Sequence, residues 1–141
     1  MADIPAIPSK LTLVVVTRER KVLEEEVDEV ELPAYNGEIG ILPGHTPLLA
    51  TLKIGQMKYR TGTTTMRLVL SWGFVEVLPD RVTVMAEAAR LPEEVDAAMA
   101  EQERAEAERA LADLSSQDPE FAIVEARLEE AVSMIDLHRG M

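Results

Sequence analysis

The stretch GEIGILPGHTPLL, residues 37–49, holds three of the chain's seven glycines and two of its eight prolines. Between these residues lies a short apolar run, Ile39 to Leu42, which predicts a strand. Glycine permits positive φ or a close backbone approach, whereas proline fixes φ and removes a hydrogen-bond donor. The stretch therefore predicts a turn, a short strand, a sharp corner and a new apolar run. Such shaped loops on a sheet are where binding surfaces are often built.

The segments around this stretch have the composition of strands, because they are rich in β-branched or alternating apolar residues. Turn signals separate them at Pro33–Gly37, Thr61–Gly62 and Pro79–Asp80, and Asn36-Gly37 suits positive φ. Short strands with a turn between each predict an antiparallel sandwich or barrel. The predicted strands are Leu11–Thr17, Val27–Leu32, Ile39–Leu42, Leu48–Leu52, Gln56–Arg60, Thr64–Leu70, Trp72–Leu78 and Arg81–Ala86.

The composition changes after Leu91, since residues 92–141 hold ten alanines and one glycine. Pro92 suits the first turn of a helix, which we expect to run to about Leu114. Asp118 is expected to cap a second helix that starts at Pro119. A four-residue loop between two helices predicts an antiparallel hairpin. The predicted fold class is α+β, with an antiparallel β-sandwich over residues 1–90 followed by an antiparallel two-helix hairpin over residues 91–141.

The two predicted helices differ in how firmly they can pack. The first is mostly alanine and charge, with ion-pair spacings at Glu101/Arg104, Arg104/Glu108 and Arg109/Asp113. Alanine faces bury little apolar area, so we expect that separating the hairpin from the sandwich requires little free energy. The second helix carries an apolar stripe of Phe121, Val124, Leu128, Ala131, Val132 and Ile135.

Charge and composition exclude several classes of function. Residues 1–91 carry 12 acidic and 10 basic side chains, for −2, and residues 92–141 carry 14 and 4, for −10. This acidity disfavours binding to nucleic acid and to anionic lipid. The start has no signal-peptide pattern, and no apolar run is long enough to span a bilayer. We expect a soluble chain that makes no direct membrane insertion, or one that docks on a membrane complex through another protein.

Few residues carry recognisable chemistry. His45 has no second His or Cys to share a metal, so we interpret it as a packing or hydrogen-bonding residue, and His138 as solvated. The acidic run Glu24–Glu31 lacks the spacing of a calcium loop and is interpreted as a solvated strand and turn. Trp72 is expected to pack in the core or at a sheet edge, with a partner anchor as the alternative. No catalytic residue and no metal site are predicted.

Several segments together resemble the epsilon subunit of the F-type, proton-translocating ATP synthase along nearly the whole chain. They are residues 37–49 followed by LKIG (52–55), SWGFVEV (71–77), RVTVMAEAAR (81–90) and EEVD (93–96). The resemblance implies a non-catalytic rotor subunit of the central stalk, which links gamma to the c-ring and couples proton flow to ATP synthesis. It also implies a peripheral position on the cytoplasmic face of a bacterial plasma membrane.

The resemblance further implies two contact surfaces in the sandwich. The turn before the Gly-Glu-Ile-Gly segment would face the c-ring, and the corner with the histidine would face gamma. Carried over by position, the c-ring residues are Tyr35, Asn36, Gly37 and Glu38, and the gamma residues are Gly44, His45, Thr46 and Pro47.

The hairpin is regulatory in many members of the resembled family. Packed on the sandwich it permits turnover, and extended toward the catalytic alpha and beta subunits it restrains ATP hydrolysis. Some members bind ATP through an Asp-x-x-Arg-Ala motif with further arginines on the second helix. Here Asp96 is present, but Met99, Ile123 and Glu130 stand where arginines are expected, so we predict no nucleotide cofactor. In the resembled family, basic side chains on the extended hairpin pair with acidic segments of the catalytic beta subunit, so the net charge of −10 on residues 92–141 predicts weak inhibition.

Two alternatives from other classes remain open at this point. One is a ligand-sensing β domain with a helical lid, and the other is a small hydrolase that uses carboxylates. A rotor subunit should copurify with gamma, a sensor should show only a ligand-dependent thermal shift, and an enzyme should turn over by itself. Whether the hairpin rests folded or extended is not decided by these residues.

Overall fold

A computed structural model describes residues 6–141, so the first five residues of the predicted 1–90 domain lie outside it. The predicted fold class is confirmed: a β-sandwich precedes two helices. The strands are β1 (Leu11–Val16), β2 (Lys21–Val27), β3 (Glu29–Ala34), β4 (Gly37–Ile41), β5 (Leu48–Leu52), β6 (Gly55–Thr61), β7 (Thr64–Leu78) and β8 (Arg81–Arg90). A 3-10 turn at Pro92–Glu94 leads to α1 (Ala97–Ala112) and α2 (Pro119–Arg139).

The strands pair in the order β2-β1-β8-β7-β5-β3-β4, and β6 closes the sandwich by pairing with both β3 and β7. Seven of the paired ladders are antiparallel, as predicted. The pair of β1 and β8 is parallel, with Thr12 opposite Arg81 and Val16 opposite Met85, so the prediction of a wholly antiparallel sheet is wrong there. A parallel pair needs a long crossover between its strands, which β2 to β7 supply.

Strand β7 is a single strand of 15 residues, so the predicted break between Leu70 and Trp72 is wrong. Its pairing with β8 continues from Val69 to Leu78. At Trp72 the strand reverses which of its two faces points into the core. Leu70 and Val75 both lie in the core, although residues five apart in a regular strand face opposite sides. Positive φ values at Trp72 (49°) and Gly73 (149°) make this reversal. The first part of β7 therefore pairs with β6 and the second with β5.

The acidic run forms parts of two strands rather than one strand from Val27 to Leu32. Asp28 separates β2 from β3, and Glu24, Glu25 and Glu26 are exposed, as expected of a solvated strand. The Asp28 carboxylate accepts hydrogen bonds from Lys10 Nζ at 2.5 Å and from the Gly62 backbone N–H at 2.7 Å. These two bonds, the Lys10 bond first, lower the pKa of Asp28.

The first helix begins at Ala97 rather than at Pro92, because Asp96 is its N-cap. Asp96 Oδ1 accepts a hydrogen bond from the Met99 backbone N–H at 3.1 Å. Asp118 occupies the N-cap position of α2, but its Oδ2 accepts from the Ser115 backbone N–H at 2.9 Å and so stabilises the loop instead.

Two of the three predicted ion pairs on α1 are present. Arg104 contacts Glu101 and Glu108, each at 2.9 Å, and these bonds raise the pKa of Arg104. The predicted pair of Arg109 with Asp113 is not among the ion pairs of residues 6–141.

The hairpin packs on the sandwich through α2, which contacts β6 and β7, whereas α1 packs mainly on α2. Ile135 and Leu137 are the large buried side chains of α2, and only the alanines Ala100 and Ala107 are buried on α1. Arg67 on β7 donates to the Gly140 carbonyl at 3.3 Å. Within the described chain, neither helix combines the length and apolarity that crossing a membrane requires.

Candidate interaction surfaces

The residues predicted to face a ring form an exposed two-residue turn. Tyr35 and Asn36 connect β3 to β4, and Tyr35 is 65% exposed. Only Gly37 has positive φ, at 125°, so the suitability of Asn36 for positive φ is not used. The Tyr35 backbone N–H donates to the Thr51 carbonyl at 2.9 Å, which ties the turn to β5. Glu38 follows on β4 with an exposed side chain.

The residues predicted to face gamma form the loop between β4 and β5. The Gly44 backbone N–H donates to the Pro79 carbonyl at 2.7 Å, and the His45 N–H donates to the Leu42 carbonyl at 3.1 Å. His45 Nδ1 lies 2.6 Å from the Thr46 carbonyl oxygen, so this nitrogen carries the proton and donates. This bond matches the interpretation of His45 as a hydrogen-bonding residue.

The two predicted surfaces lie at opposite ends of β4. The turn at Tyr35 precedes its first residue, and the loop with His45 follows its last. Five strand residues span about 17 Å, so no single small ligand can touch both. The structure therefore keeps the two sets of residues apart, as two contact surfaces require.

An apolar stripe that sequence reasoning missed crosses the outer face of four strands. It consists of Leu49 on β5, Phe74 on β7, Met85 on β8 and Val16 on β1. Phe74 pairs directly with Met85, and Met85 with Val16, while Leu49 is diagonal to Phe74. Leu49 is 71% and Phe74 51% exposed, although Val75 beside Phe74 is fully buried.

The apolar stripe includes a shallow groove of about 320 Å³ between β1, β7 and β8. Val16, Phe74, Met85 and Ala86 supply its apolar lining. The signal that could have revealed the stripe is the alternation of β7 after Trp72, because Phe74, Glu76 and Leu78 face away from Val75 and Val77.

Of the four hairpin residues at the positions of the ATP-binding motif, three lie together and Ile123 does not. A cavity of about 210 Å³ lies where β8 leads into the hairpin, and Asp96, Met99 and Glu130 line it. Ile123 does not line it and is 64% exposed on α2. Arg90 is the one cation in the lining, against four carboxylates, those of Glu94, Asp96, Glu103 and Glu130.

Neither histidine is placed for metal binding. Across residues 6–141, no group of three His, Cys, Asp or Glu side chains is arranged to hold a metal ion. His138 is exposed on α2, as expected of a solvated residue.

Comparison with known proteins relates the chain to one family. The model of the family described as ATP synthase, Delta/Epsilon chain, beta-sandwich domain, matches residues 10–92. ATP synthase epsilon chain 2 of Syntrophotalea carbinolica is 42% identical over 128 residues, which cover 91% of this chain and 93% of that relative. The ATP synthase epsilon chain of Geobacter sulfurreducens is 42% identical over 123 residues, or 87% and 89% of the two chains.

A solved structure has the same fold. It is a chain in the cryo-EM structure of the Euglena gracilis mitochondrial ATP synthase, described as OSCP/F1/c-ring. The TM-score is 0.80 at 25% identity, and the match covers 92% of this chain and 82% of that chain.

Proposed function

The chain belongs to the ATP synthase delta/epsilon family, and on that premise we infer that it is a non-catalytic subunit of the central stalk. The observation that carries this role is the 42% identity to a bacterial epsilon chain over 91% of the sequence. Its partners are then gamma and the c-ring, and it couples proton flow to ATP synthesis. Its position is peripheral, on the cytoplasmic face of a bacterial plasma membrane.

Tyr35, Asn36, Gly37 and Glu38 form the proposed contact with the c-ring. The exposed turn is held at its base by two backbone hydrogen bonds, from Tyr35 N–H to Thr51 and from Lys53 N–H to Pro33. A rotor must transmit force through contacts that do not yield, and a turn fixed to a sheet meets this need better than a free loop.

Gly44, His45, Thr46 and Pro47, together with the apolar stripe, form the proposed contact with gamma. The stripe begins at Leu49, two residues after the loop ends. Strands lie about 4.8 Å apart, so a stripe across four strands is about 15 Å long and accommodates one helix of about 10 Å diameter. Exposed contiguous apolar surface with an aromatic residue is typical of protein interfaces.

Copurification with gamma tests this assignment. Phe74→Glu and Leu49→Glu place a charge in the apolar stripe and should abolish copurification while leaving the unfolding midpoint of the isolated chain nearly unchanged. Met66→Glu is the matched control, since Met66 is also exposed (45%) on β7 but lies outside the stripe. Equal retention of gamma by all three variants would refute the proposed face. A ligand-dependent thermal shift with no gamma binding would instead favour the sensor.

The hairpin is proposed to be a regulatory element that does not use a nucleotide. Asp96 is engaged as the cap of α1, and four carboxylates against one guanidinium in the cavity disfavour a triphosphate. If the hairpin extends, it reaches the catalytic alpha and beta subunits, and its net charge of −10 favours weak restraint of hydrolysis.

A further inference from the structure

A second groove lies where the sandwich meets the hairpin, and Trp72 forms part of it. Its volume is about 560 Å³, and its lining includes Arg18, Glu19, Ser71, Trp72, Glu87 and Glu130. These residues come from the turn after β1, from β7, from β8 and from α2. We call it the Trp72 groove. It shares Arg18 and Glu87 with the groove of the apolar stripe, whereas Trp72 and Glu130 line the Trp72 groove and not the groove of the stripe.

Trp72 is held in this groove by an unusual backbone conformation. Its φ of 49° is the only positive φ of a non-glycine residue among those described. A bulky residue in the left-handed region is uncommon, and such strain tends to occur at functional sites. Trp72 is 39% exposed although it lies in the middle of a strand. Trp72 was predicted to pack in the core or at a sheet edge. It does neither, because it is partly exposed on a central strand.

The charges around the ring favour a cation. Glu19, Glu87 and Glu130 line the groove with one guanidinium, that of Arg18, and none of the four takes part in an ion pair of residues 6–141. The face of an indole attracts a guanidinium or ammonium group, with tryptophan the strongest of the aromatic side chains. Carboxylates beside the ring add charge-assisted hydrogen bonds, and an anionic ligand would be repelled.

We propose that the Trp72 groove receives an arginine- or lysine-bearing segment of a protein partner, whose cation stacks on Trp72 and pairs with Glu87 and Glu130. A protein segment fits better than a small cation because the groove is wide and open, and tryptophan and arginine are enriched at the centres of protein interfaces. The net charge of −12 steers a basic partner toward this chain.

Occupation of the groove also holds the hairpin on the sandwich. Trp72 and Glu87 belong to the sandwich, whereas Glu130 belongs to α2. A cation that contacts all three binds the packed arrangement and not a released hairpin. By linkage, such a partner shifts the population toward the packed state. This inference does not depend on whether the apolar stripe binds gamma.

The intrinsic fluorescence of the chain provides a direct test, because Trp72 is its single tryptophan. A short arginine–alanine peptide, titrated into the full chain, should change the emission saturably, and a glutamate–alanine peptide of equal length should not. Calorimetry should show binding about tenfold weaker for Glu87→Gln/Glu130→Gln. The control Glu26→Gln/Glu125→Gln makes the same charge change at exposed sites on β2 and α2 and should bind normally.

Substitution of the ring separates binding from folding. Trp72→Phe keeps an aromatic face and should bind more weakly but measurably, whereas Trp72→Gly should lose binding while keeping the fold, since glycine adopts φ of 49° readily. If both glutamine double variants weakened peptide binding equally, the peptide would be held by the overall negative charge, and the proposed site would be wrong. Spermidine that binds as tightly as the peptide would overturn the protein occupant. Unchanged hydrogen exchange of α2 in the peptide complex would overturn the effect on the hairpin.

Discussion

Arg20 Nη2 donates to both carboxylate oxygens of Glu94, at 2.8 Å and 2.6 Å, and this pair joins the two parts of the fold. Arg20 follows the turn after β1, and Glu94 ends the 3-10 turn that begins the hairpin. The same carboxylate accepts a hydrogen bond from the Leu91 backbone N–H at 3.1 Å. Among residues 6–141, the other side-chain hydrogen bond from the sandwich to the hairpin is that of Arg67 with the Gly140 carbonyl. Glu94 is therefore the side chain through which a polar contact holds the first residues of the hairpin on the sandwich.

Glu94→Gln should loosen the start of the hairpin by about 0.5–1 kcal/mol, as expected for a partly exposed ion pair. Hydrogen exchange of the amides from Leu91 to Ala100 measures this directly. Glu93→Gln is the matched control, because Glu93 is exposed and makes no ion pair in residues 6–141. Equal exchange in both variants would show that the Arg20 contact contributes nothing.

The same contact makes hairpin packing depend on pH. The hydrogen bond from Arg20 lowers the pKa of Glu94 below its ordinary value of 4.5. The stabilisation is therefore complete above that ordinary value and is lost as the pH falls through the lowered pKa of the folded chain. Amide exchange from Leu91 to Ala100, corrected for its intrinsic pH dependence, should accelerate only in this acidic range. Glu94→Gln should remove this pH dependence of amide exchange. If the pH dependence persisted in that variant, it would arise from a titratable group other than Glu94.

Gly73→Ala should be among the most damaging single substitutions in the sandwich. A Cβ at Gly73 would lie 2.1 Å from the Met85 carbonyl oxygen, and φ there is 149°. Because backbone atoms cannot move aside cheaply, we expect a loss of more than about 3 kcal/mol or failure to fold. Gly40→Ala is the control, since its Cβ would meet nothing within 4 Å. Chemical denaturation compares the two, and similar midpoints would contradict the close approach.

The order of sandwich and hairpin could be predicted because it follows from local pattern. Strand alternation and turn residues lie within a few positions of each other, and the composition becomes rich in alanine immediately after Leu91. The turn at Tyr35 was likewise visible, since Gly37 marks a residue that needs positive φ.

Strand β7 could not be predicted because its continuity depends on a partner strand. The sequence from Leu70 to Val75 breaks alternation, which ordinarily indicates a turn. Pairing with β8 carries the strand through, since the left-handed pair Trp72 and Gly73 reverses the face while the ladder continues. The apolar stripe was missed for the same reason, because the outward position of Phe74 depends on that reversal.

The helix start was misjudged because two signals compete. Pro92 followed by two glutamates is typical of a first helical turn. The side chain of Asp96 offers a stronger cap, so the earlier residues close a separate 3-10 turn.

ATP should leave the thermal unfolding of the chain unchanged at millimolar concentration. The cavity beside Asp96 presents four carboxylates and one guanidinium, so a triphosphate finds little positive charge. Met99→Arg/Glu130→Arg adds two cations to that lining and should create a measurable ATP-dependent rise in the unfolding midpoint. The control Met66→Arg/Glu125→Arg adds the same charge elsewhere and should not. A clear ATP-dependent rise in the unmodified chain would contradict the prediction.

Deleting residues 92–141 should change ATP hydrolysis by the assembled complex less than about twofold, because the hairpin has little free positive charge for an acidic partner surface. Of its four arginines, Arg104 is held by Glu101 and Glu108, and Arg139 contacts Glu101 at 3.3 Å. Arg109 and Arg127 are then left among 14 carboxylates. Hydrolysis is compared at equal occupancy of the shortened and full chains, measured by copurification. A severalfold rise on deletion would show that the hairpin restrains the motor by contacts other than charge pairing.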